Sequence, residues 1–313
     1  MTPSSKIIGR SSAALTLARS IVKAAPTEAS VLIIGESGTG KEVVARAIHA
    51  RSARRDAPFV AINCGAISPT LAESELFGHE KGSFTGASAT TMGCFERAHP
   101  GTLFLDEITE MPMSMQVQLL RILESGQYHR VGGSEQLRVD LRIISATNLD
   151  PKTAVQDGRF RSDLLYRLAV FPIWVPPLRE RKSDIAYLSQ LFLDELNTQE
   201  NTQKVFSSRA IERLERYNWP GNIRELRNHI TRAFILADQV VDAAPAASAF
   251  HLPAPIAHQG HLKIPIGTTL VAAQHAIVMA TLEHYHGDKR RAALTLGISS
   301  KTLYNRLEGF RRN

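Results

Sequence analysis

Residues 35 to 42 read Gly35-Glu36-Ser37-Gly38-Thr39-Gly40-Lys41-Glu42, directly after the apolar run Val31 to Ile34. Glycines let consecutive backbone N–H groups close on an anion, and the helical pattern from Val43 to His49 adds a helix N-terminus behind them. Lys41 is long enough to reach the β and γ phosphates of a nucleotide. The octapeptide therefore predicts a phosphate loop that binds ATP, between a buried strand and a helix of an α/β fold.

The organisation of the chain on either side of this loop fits the same fold. Short β-rich runs alternate with helical patterns as far as Val175, which predicts a parallel sheet with helices on both faces. The pattern then turns helical, and a stretch rich in Ala, Pro and His separates a last helical unit. We expect an α/β ATPase subdomain over 1–176, a helical lid over 177–242, a linker over 243–267 and a helix-turn-helix unit over 268–313. The strands are predicted at Val31 to Ile34, Phe59 to Ile62, Thr102 to Leu105, Leu141 to Ala146 and Val170 to Val175, and the lid helices at Asp184 to Leu196, Ser207 to Tyr217 and Asn222 to Leu236.

Two acidic residues, Asp106 and Glu107, end the third predicted strand. Ligands of open parallel sheets bind beyond the carboxyl ends of the strands. Asp106 is suited to hold hydrated Mg²⁺, and Glu107 to orient and polarise the water that attacks the γ phosphate. Because Glu42 stands where the general loop pattern has a Ser or Thr on the metal, Thr39 or a water molecule has to share that role.

Polar residues also end the second and fourth predicted strands. Asn63 follows the second, and Thr147 and Asn148 follow the fourth, so all three converge near one edge of a parallel sheet. Each is placed to sense the γ phosphate. A local turn hydrogen bond is the alternative for each of them.

Three arginines are candidates for stabilising charge during phosphoryl transfer. Arg161 and Arg167 lie six residues apart before the last strand, where a neighbouring subunit could use them; surface ion pairs are the alternative. Arg224 follows Trp219 to Ile223 and could reach from the lid to the phosphates. An ion pair with Glu225 or Asp238 is its alternative role.

The hexapeptide from Gly82 to Ala87 lies between the phosphate loop and the acidic strand end. Its members are Gly82, Ser83, Phe84, Thr85, Gly86 and Ala87. Glycines permit a tight turn, and Phe84 has no periodic apolar neighbours, so the turn could present an aromatic tip to a partner. An ordinary glycine-containing hairpin is the alternative.

Composition limits the class of protein. A chain of 313 residues with 43% hydrophobic residues can bury the cores of about two domains. No apolar stretch approaches the roughly 18 residues of a membrane span and the start lacks a signal-peptide pattern, so we expect a cytoplasmic protein. Two cysteines, Cys64 and Cys94, are too few for a disulfide framework and are interpreted as structural thiols.

The C-terminal unit predicts a DNA contact. The net charge is +7, and residues 287–313 carry seven basic against two acidic side chains, a density that attracts a polyanion, although a solvated charged face is the alternative. The pattern is helix, helix, turn at Gly297, helix, with Ser299 or Ser300 as the last cap. The spacing of the last helix leaves Lys301, Thr302, Asn305 and Arg306 outward, types that contact bases or phosphates. Lys289, Arg290 and Ser300 are further candidates for DNA binding. A basic hairpin used only for assembly is the other interpretation.

Taken together, Ile7 to Asp242 resembles the AAA+ domain of bacterial enhancer-binding proteins, the activators of sigma-54 RNA polymerase. The matching stretches include GESGTGKE at 35, NCGAI at 63, ESELFGHEKGSFTGA at 73, GTLFLDEI at 101, RVGG at 130, ATN at 146, FRSDLLYRL at 160 and WPGNIREL at 219. Residues 290–307 resemble the Fis-type helix-turn-helix that ends many such activators. In place of the usual Asn after Gly287 this chain has Asp288, which would weaken a local phosphate contact.

The resemblance implies a ring, usually a hexamer built from dimers, that hydrolyses ATP with Mg²⁺. Arg161 and Arg167 would act on the neighbour's nucleotide, Asn63 would pair with Glu107, Thr147 and Asn148 would form sensor I, and Arg224 would be the sensor II arginine. An acidic residue at Glu42 is usual in that family. The hexapeptide would contact sigma-54, assisted by Arg130 to Ser134, with Ser83 in place of the usual Ala.

These observations predict an ATP-dependent activator that binds enhancer DNA and remodels the closed complex of sigma-54 RNA polymerase. The alternatives are an AAA+ protein remodeller with a basic tail, and a DNA-binding regulator that binds ATP only to assemble. Only a few residues precede the ATPase domain, so if Met1 is the natural start we expect no receiver domain and control by another protein in trans.

Overall fold

The computed structural model describes residues 9–66, 69–84, 87–243, 269–285, 288–299 and 302–303. Contacts divide the chain into one compact unit over residues 1–245 and a second over 246–313. The strands are β1 Val31–Ile34, β2 Phe59–Asn63, β3 Thr102–Asp106, β4 Gln127–Tyr128, β5 Leu137–Arg138, β6 Arg142–Thr147, β7 Phe171–Trp174, β8 Val205–Phe206 and β9 Val240–Val241. The helices are α1 Ser12–Ala24, α2 Lys41–His49, α3 Pro69–Phe77, α4 Cys94–Ala98, α5 Met113–Ser125, α6 Pro151–Gln156, α7 Ser162–Leu168, α8 Ser183–Glu200, α9 Ala210–Arg216, α10 Asn222–Leu236, α11 Leu270–His284 and α12 Lys289–Thr295, with short 3-10 turns at Ile108–Glu110 and Leu178–Glu180.

A five-stranded parallel sheet in the order β2-β3-β6-β1-β7 forms the centre of the first unit. Alternate strand residues enter two cores: Leu32 and Leu105 pack with α3, α5 and α7, whereas Ile33 and Phe104 pack with α1 and α2. Both faces of the middle strands are therefore covered, which explains their continuous apolar runs, and each fully buried Leu or Ile contributes roughly 1.5–3 kcal/mol. The predicted α/β fold with a parallel sheet is confirmed.

The register of the sheet sets the positions of the polar strand ends. Asn63 pairs with Asp106, and Ile34, the residue before the phosphate loop, pairs with Thr147. Because all five strands are parallel, these ends lie along one edge of the sheet. β7 is an edge strand with Pro172 inside it, a position that tolerates the missing N–H group.

Helices α8, α9 and α10 form the lid around Trp219, whose Nε1 donates to the Leu214 carbonyl at 2.8 Å. The helix predicted from Ser207 begins only at Ala210. Ser207 N donates instead to the Val241 carbonyl and continues the pairing of β8 with β9, two short strands that the sequence pattern did not reveal.

The second unit contains α11, α12 and the start of a third helical turn. Val278, Ala292, Ala293 and Leu303 form its core. Asp288 caps α12 by accepting from Arg290 N and Arg291 N, and Gly297 has the positive φ (66°) expected of the turn. Ser299 Oγ accepts from Thr302 N, so Ser299 is the cap of the following turn.

Candidate active site

The phosphate loop is a closed turn between β1 and α2. Thr39 Oγ1 donates to the Glu36 carbonyl at 2.7 Å, and Gly40 begins α2 from the left-handed region, with φ 96°. Gly38 has φ 77°, and a Cβ there would collide with the carbonyl of Gly221. Glycine is thus required at position 38 both by the backbone conformation and by the lid, which lies directly on the loop.

Lys41 is buried at the start of α2, between the loop and the acidic strand end. Its Nζ donates to the Gly35 carbonyl at 2.9 Å and lies 3.6 Å from Glu107 Oε1. The surrounding cleft has a volume of about 430 Å³. Its walls include Asp106 and Arg224 on the polar side and Leu17, Val175 and Phe192 on the apolar side. A nucleotide with a charged tail and an apolar base matches this division.

Asp106 and Glu107 have different environments although they are adjacent. Burial raises the pKa of the Asp106 carboxyl above its ordinary value, and the charge of Glu107 raises this pKa further. Glu107 N donates to Asp106 Oδ1 at 3.0 Å. Glu107 itself has φ 50° and ψ 50°, an uncommon conformation for a residue with a side chain, and such outliers occur often at functional sites.

The donor set fits Mg²⁺ in the form in which it binds with nucleotides. Mg²⁺ usually keeps several waters and is held by one or two carboxylates together with phosphate oxygens. Asp106 supplies such a carboxylate at the cleft. Thr39 is less available in this conformation, because its buried hydroxyl already donates to the Glu36 carbonyl. This conformation therefore favours a water molecule over Thr39 as the metal ligand that would bind beside Asp106.

The three polar strand ends have distinct partners. Asn148 N donates to Glu107 Oε2 at 3.2 Å, and the buried Thr147 hydroxyl bonds Thr109, in the turn that follows Glu107. Asn63 Oδ1 instead accepts from Gly65 N and Ala66 N, which is the local turn described as its alternative. The structure therefore brings Thr147 and Asn148 to the Glu107 segment, while the Asn63 side-chain oxygen is engaged locally.

Of the three arginines, only Arg224 lies at the cleft of its own chain. Arg224 Nη1 donates to Ser37 Oγ at 3.0 Å, and neither Glu225 nor Asp238 is its partner. Arg161 forms a bidentate pair with Asp163, and Arg167 donates to the Leu123 carbonyl. Neither of these two lines the cleft.

Three lid-side residues at the phosphate loop were not predicted. Arg179 forms a bidentate pair with Glu36, which lowers the pKa of that carboxyl. Arg181 donates to the Thr39 carbonyl, and Asn222 to the Ser37 carbonyl. Asn222 follows Gly221 within the quoted WPGNIREL stretch, and this Gly-Asn pair before a helix was the available signal.

The two ends of the turn predicted at the hexapeptide are joined, because Gly82 N donates to the Ala87 carbonyl at 2.9 Å. Phe84 is 41% exposed and its ring lies 5.0 Å from that of His79. Thr85 and Gly86 lie outside the described residues. Arg130 fixes the base of this turn through two bonds to Glu96 and one to Glu80, and these bonds raise the pKa of Arg130.

Ser83 lies against the second loop, at Arg130 to Ser134. A Cβ on Gly132 would come within 2.6 Å of Ser83 Cβ, so the two loops are in close contact. The Ser83 hydroxyl is buried and has no hydrogen-bond partner.

In the second unit, the described DNA-contact candidates are Lys289, Arg290 and Thr302. Lys289 and Arg290 are exposed in the first turn of α12. Thr302 is half-buried beside Ser299. Ser300, Lys301, Asn305 and Arg306 lie outside the described residues.

Both cysteine side chains are buried. Burial raises the pKa of the Cys64 thiol to about 12, and it also raises that of Cys94. Among the described residues no cluster of three or more His, Cys, Asp or Glu side chains could hold a metal ion. None of the described helices is both long and apolar enough to cross a membrane.

A phosphate loop before α2, an acidic strand end on β3 and a helical lid define an AAA+ P-loop ATPase. Comparison with known families extends this class: residues 7–174 match the sigma-54 interaction domain, 179–261 the AAA+ ATPase lid domain, and 269–310 the bacterial regulatory proteins of the Fis family. The chain belongs to the sigma-54-dependent transcriptional activator family.

Individual relatives agree with this assignment. The chain is 43% identical to the regulatory protein AtoC of Escherichia coli, with 97% of this chain and 67% of that protein aligned. It is 41% identical to the DNA-binding transcriptional regulator NtrC of Azospirillum brasilense, with 96% and 68% aligned, and 52% identical to the Nif-specific regulatory protein of Rhodobacter capsulatus, with 75% and 41% aligned. The chain thus spans about two thirds or less of these relatives.

Solved structures give the same result. The crystal structure of NtrX from Brucella abortus in complex with ADP has a TM-score of 0.72 and 34% identity, covering 97% of this chain and 68% of NtrX. The complex of the same protein with ATP has the same TM-score, 35% identity, and coverage of 97% and 69%.

Proposed function

We propose that the chain is an ATP-hydrolysing activator that binds enhancer DNA and converts the closed complex of sigma-54 RNA polymerase to the open complex. The observation that carries this proposal is the meeting of Lys41, Asp106 and Glu107 at one cleft in a chain of the sigma-54 activator family. It acts in the cytoplasm, where its DNA is.

In this mechanism the phosphate loop and Lys41 bind the β and γ phosphates of ATP. Asp106 would hold Mg²⁺, which would supply positive charge against the charge that develops on the transferred phosphoryl group. Glu107 accepts a proton from the attacking water and orients it. Asn148 holds the Glu107 carboxylate through its backbone N–H, and Arg224 contacts the phosphates from the lid.

The arginines outside the cleft support assembly of several copies, ultimately a hexameric ring. Arg161 and Arg167 serve a neighbouring copy, since neither lines its own cleft. Asp163 holds Arg161 until a neighbour's phosphate competes for it. In this arrangement each cleft is complete only between two copies, so hydrolysis requires the ring.

The hexapeptide turn transmits hydrolysis to sigma-54. Phe84 and Thr85 form the contact, and the loop from Arg130 to Ser134 moves with them because Ser83 packs on Gly132 and Arg130 binds Glu80. Asn63 releases its local turn to pair with Glu107 in one nucleotide state. The basic C-terminal unit holds the ring near the promoter.

The experiment is a comparison of promoter opening by sigma-54 holoenzyme and by a holoenzyme with a different sigma factor. ATP-dependent opening restricted to sigma-54 supports the activator. ATP turnover without opening supports a general protein remodeller, and DNA binding without turnover supports a regulator that uses ATP only for assembly.

A further inference from the structure

The turn from Glu36 to Thr39 is held at every residue by two lid segments, the one that follows β7 and the start of α10. Glu36 accepts two bonds from Arg179, at 2.8 and 2.6 Å. The Thr39 carbonyl accepts from Arg181 at 3.1 Å. The Ser37 carbonyl accepts from the Asn222 side chain, and the Gly38 carbonyl accepts from Ile223 N and Arg224 N.

Asn222 is the centre of this arrangement. It is fully buried and has φ 54°, a left-handed conformation that Asn tolerates better than most residues. Its Oδ1 accepts from Leu178 N at 2.8 Å, while its Nδ2 donates to the Ser37 carbonyl at 3.0 Å and to Glu36 Oε2 at 3.2 Å. One side chain therefore joins both lid segments to the phosphate loop.

The buried amide is the stronger part of this arrangement. The Glu36 and Arg179 side chains are 41% and 42% exposed, and exposed ion pairs contribute little because water screens them. Loss of the Asn222 amide would instead leave the Leu178 N–H and the Ser37 carbonyl without these partners. A hydrogen bond lost by a partly buried group costs more free energy than one lost by an exposed group, which water can replace.

We propose that Asn222 is a positioning residue which, with Arg179, latches the phosphate loop to the lid and so preorganises the loop for ATP. Lid movement away from the loop breaks the latch and distorts the turn from Glu36 to Thr39. The loop conformation, and with it ATP affinity, thus follows the position of the lid. This inference rests on the proposed ATPase function only in requiring that the cleft binds ATP.

The test compares Asn222→Gly with the wild-type chain in full length. Glycine accepts the positive φ, so this variant removes the amide without straining the backbone. Loss of about one or two hydrogen bonds predicts a rise of about tenfold in the KM for ATP and in the dissociation constant of a fluorescent ATP analogue. The kcat should stay within about twofold, because Lys41, Asp106 and Glu107 are untouched.

Two further variants test the Asn222 Nδ2 donor and the Arg179 ion pair one at a time. Asn222→Asp keeps an acceptor for Leu178 N but sets a second carboxylate beside Glu36, so ATP binding should weaken, and Glu36→Gln in the same chain should restore part of it. Arg179→Gln changes an exposed side chain and should raise the dissociation constant about twofold or threefold without affecting the unfolding temperature.

The outcomes are distinguishable. Wild-type ATP affinity in a folded Asn222→Gly chain overturns the latch, as does an equal fall of kcat and kcat/KM with unchanged KM. If Asn222→Gly does not fold, Arg179→Gln and the Glu36 rescue decide, and no effect in either overturns the latch. Failure of the wild-type chain to bind ATP refutes the proposed ATPase function itself.

Discussion

Lys41 Nζ lies 3.6 Å from Glu107 Oε1, so the cation of the phosphate loop and the second carboxylate of β3 form an ion pair inside the cleft. Glu107 also accepts from Asn148 N. A γ phosphate entering this cleft would compete for Lys41 and release Glu107 toward the attacking water. The pair thus connects nucleotide binding with the group proposed to act as base.

Replacement of Glu107 by Gln should separate ATP binding from hydrolysis. The amide keeps the shape of the side chain but cannot accept the proton, so we expect kcat to fall about 10²- to 10⁴-fold with ATP binding retained. Lys41→Ala is the matched variant and should lose nucleotide binding. Phosphate release and binding of a fluorescent ATP analogue measure the two effects; turnover within about twofold of wild type for Glu107→Gln would refute the base assignment.

A ring built only of Arg161→Ala chains should not hydrolyse ATP. A ring that mixes Arg161→Ala chains with Glu107→Gln chains should regain part of the activity. A Glu107→Gln copy has an intact Arg161, and an Arg161→Ala copy has an intact cleft. Where the two meet in the right order, one complete site forms. Activity of the mixture above that of either variant alone supports action on the neighbour, whereas a mixture as inactive as its components contradicts it.

Phe84→Ala should leave ATP hydrolysis unchanged and abolish promoter opening, because the ring is partly exposed and lies outside the cleft. The measurements are phosphate release and open-complex formation on the same preparations. A parallel loss of both activities would mean that the turn is structural.

Ser83→Ala should make the base of the turn more stable. The Ser83 hydroxyl is buried without a hydrogen-bond partner. Removal of such a hydroxyl stabilises the local structure by about 1 kcal/mol. Amide exchange of Gly82, which donates to Ala87, should slow accordingly. Gly132→Ala is the opposite variant, since its Cβ would meet Ser83 and its φ is 74°, and it should speed that exchange. Equal exchange in all three chains would show that Ser83 does not restrain the loop.

The pH dependence of stability should reveal His229 in the lid core. Burial lowers the pKa of His229 below its ordinary value of 6.5, and its Nε2 is buried without a partner. Above pH 6.5 His229 is neutral in both the folded and the unfolded state, so it does not make the free energy of unfolding depend on pH. As pH falls below 6.5, His229 gains its proton in the unfolded state first. The free energy of unfolding therefore declines until the pH is below the pKa of His229 in the folded state.

His229→Phe isolates this effect, because it keeps an aromatic ring against Trp219. We expect its unfolding temperature to change less than that of the wild type between about pH 7 and pH 5.5. Identical pH slopes in the two chains would exclude a contribution from His229.

Removal of residues 246–313 should abolish DNA binding and leave ATP hydrolysis largely intact, because contacts divide the chain at residue 245. A footprint on target DNA and phosphate release test the two halves of this prediction. An unchanged footprint would assign DNA binding to the first unit.

The sheet and the ends of its strands could be predicted because burial on both faces leaves a direct trace in apolar runs such as Val31 to Ile34. Glu107 and Asn148 could be placed together because each follows the end of a strand, and parallel strands end at one edge of the sheet. The Asn63 side chain could not be assigned from sequence, as strand-end Asn residues bond neighbouring N–H groups equally well.

Apart from Arg224, the lid residues at the cleft were not predicted from the sequence. Arg179 and Arg181 contact the phosphate loop from over 140 residues away, and nothing in their local pattern distinguishes them from ordinary surface residues. The Gly-Asn pair before α10 marks Asn222 locally, but it does not reveal the contact of Asn222 with the phosphate loop. The strands β8 and β9 have two residues each, which is too short for an alternating pattern to appear.

Open-complex formation with purified sigma-54 holoenzyme, promoter DNA and this protein decides whether the chain activates sigma-54 RNA polymerase. We expect strand opening, measured by the permanganate reactivity of unpaired thymines, to require ATP and to be lost with Glu107→Gln and with Phe84→Ala. Opening that proceeds equally with these two variants, or an absence of opening despite active ATP hydrolysis by the wild-type chain, would contradict it.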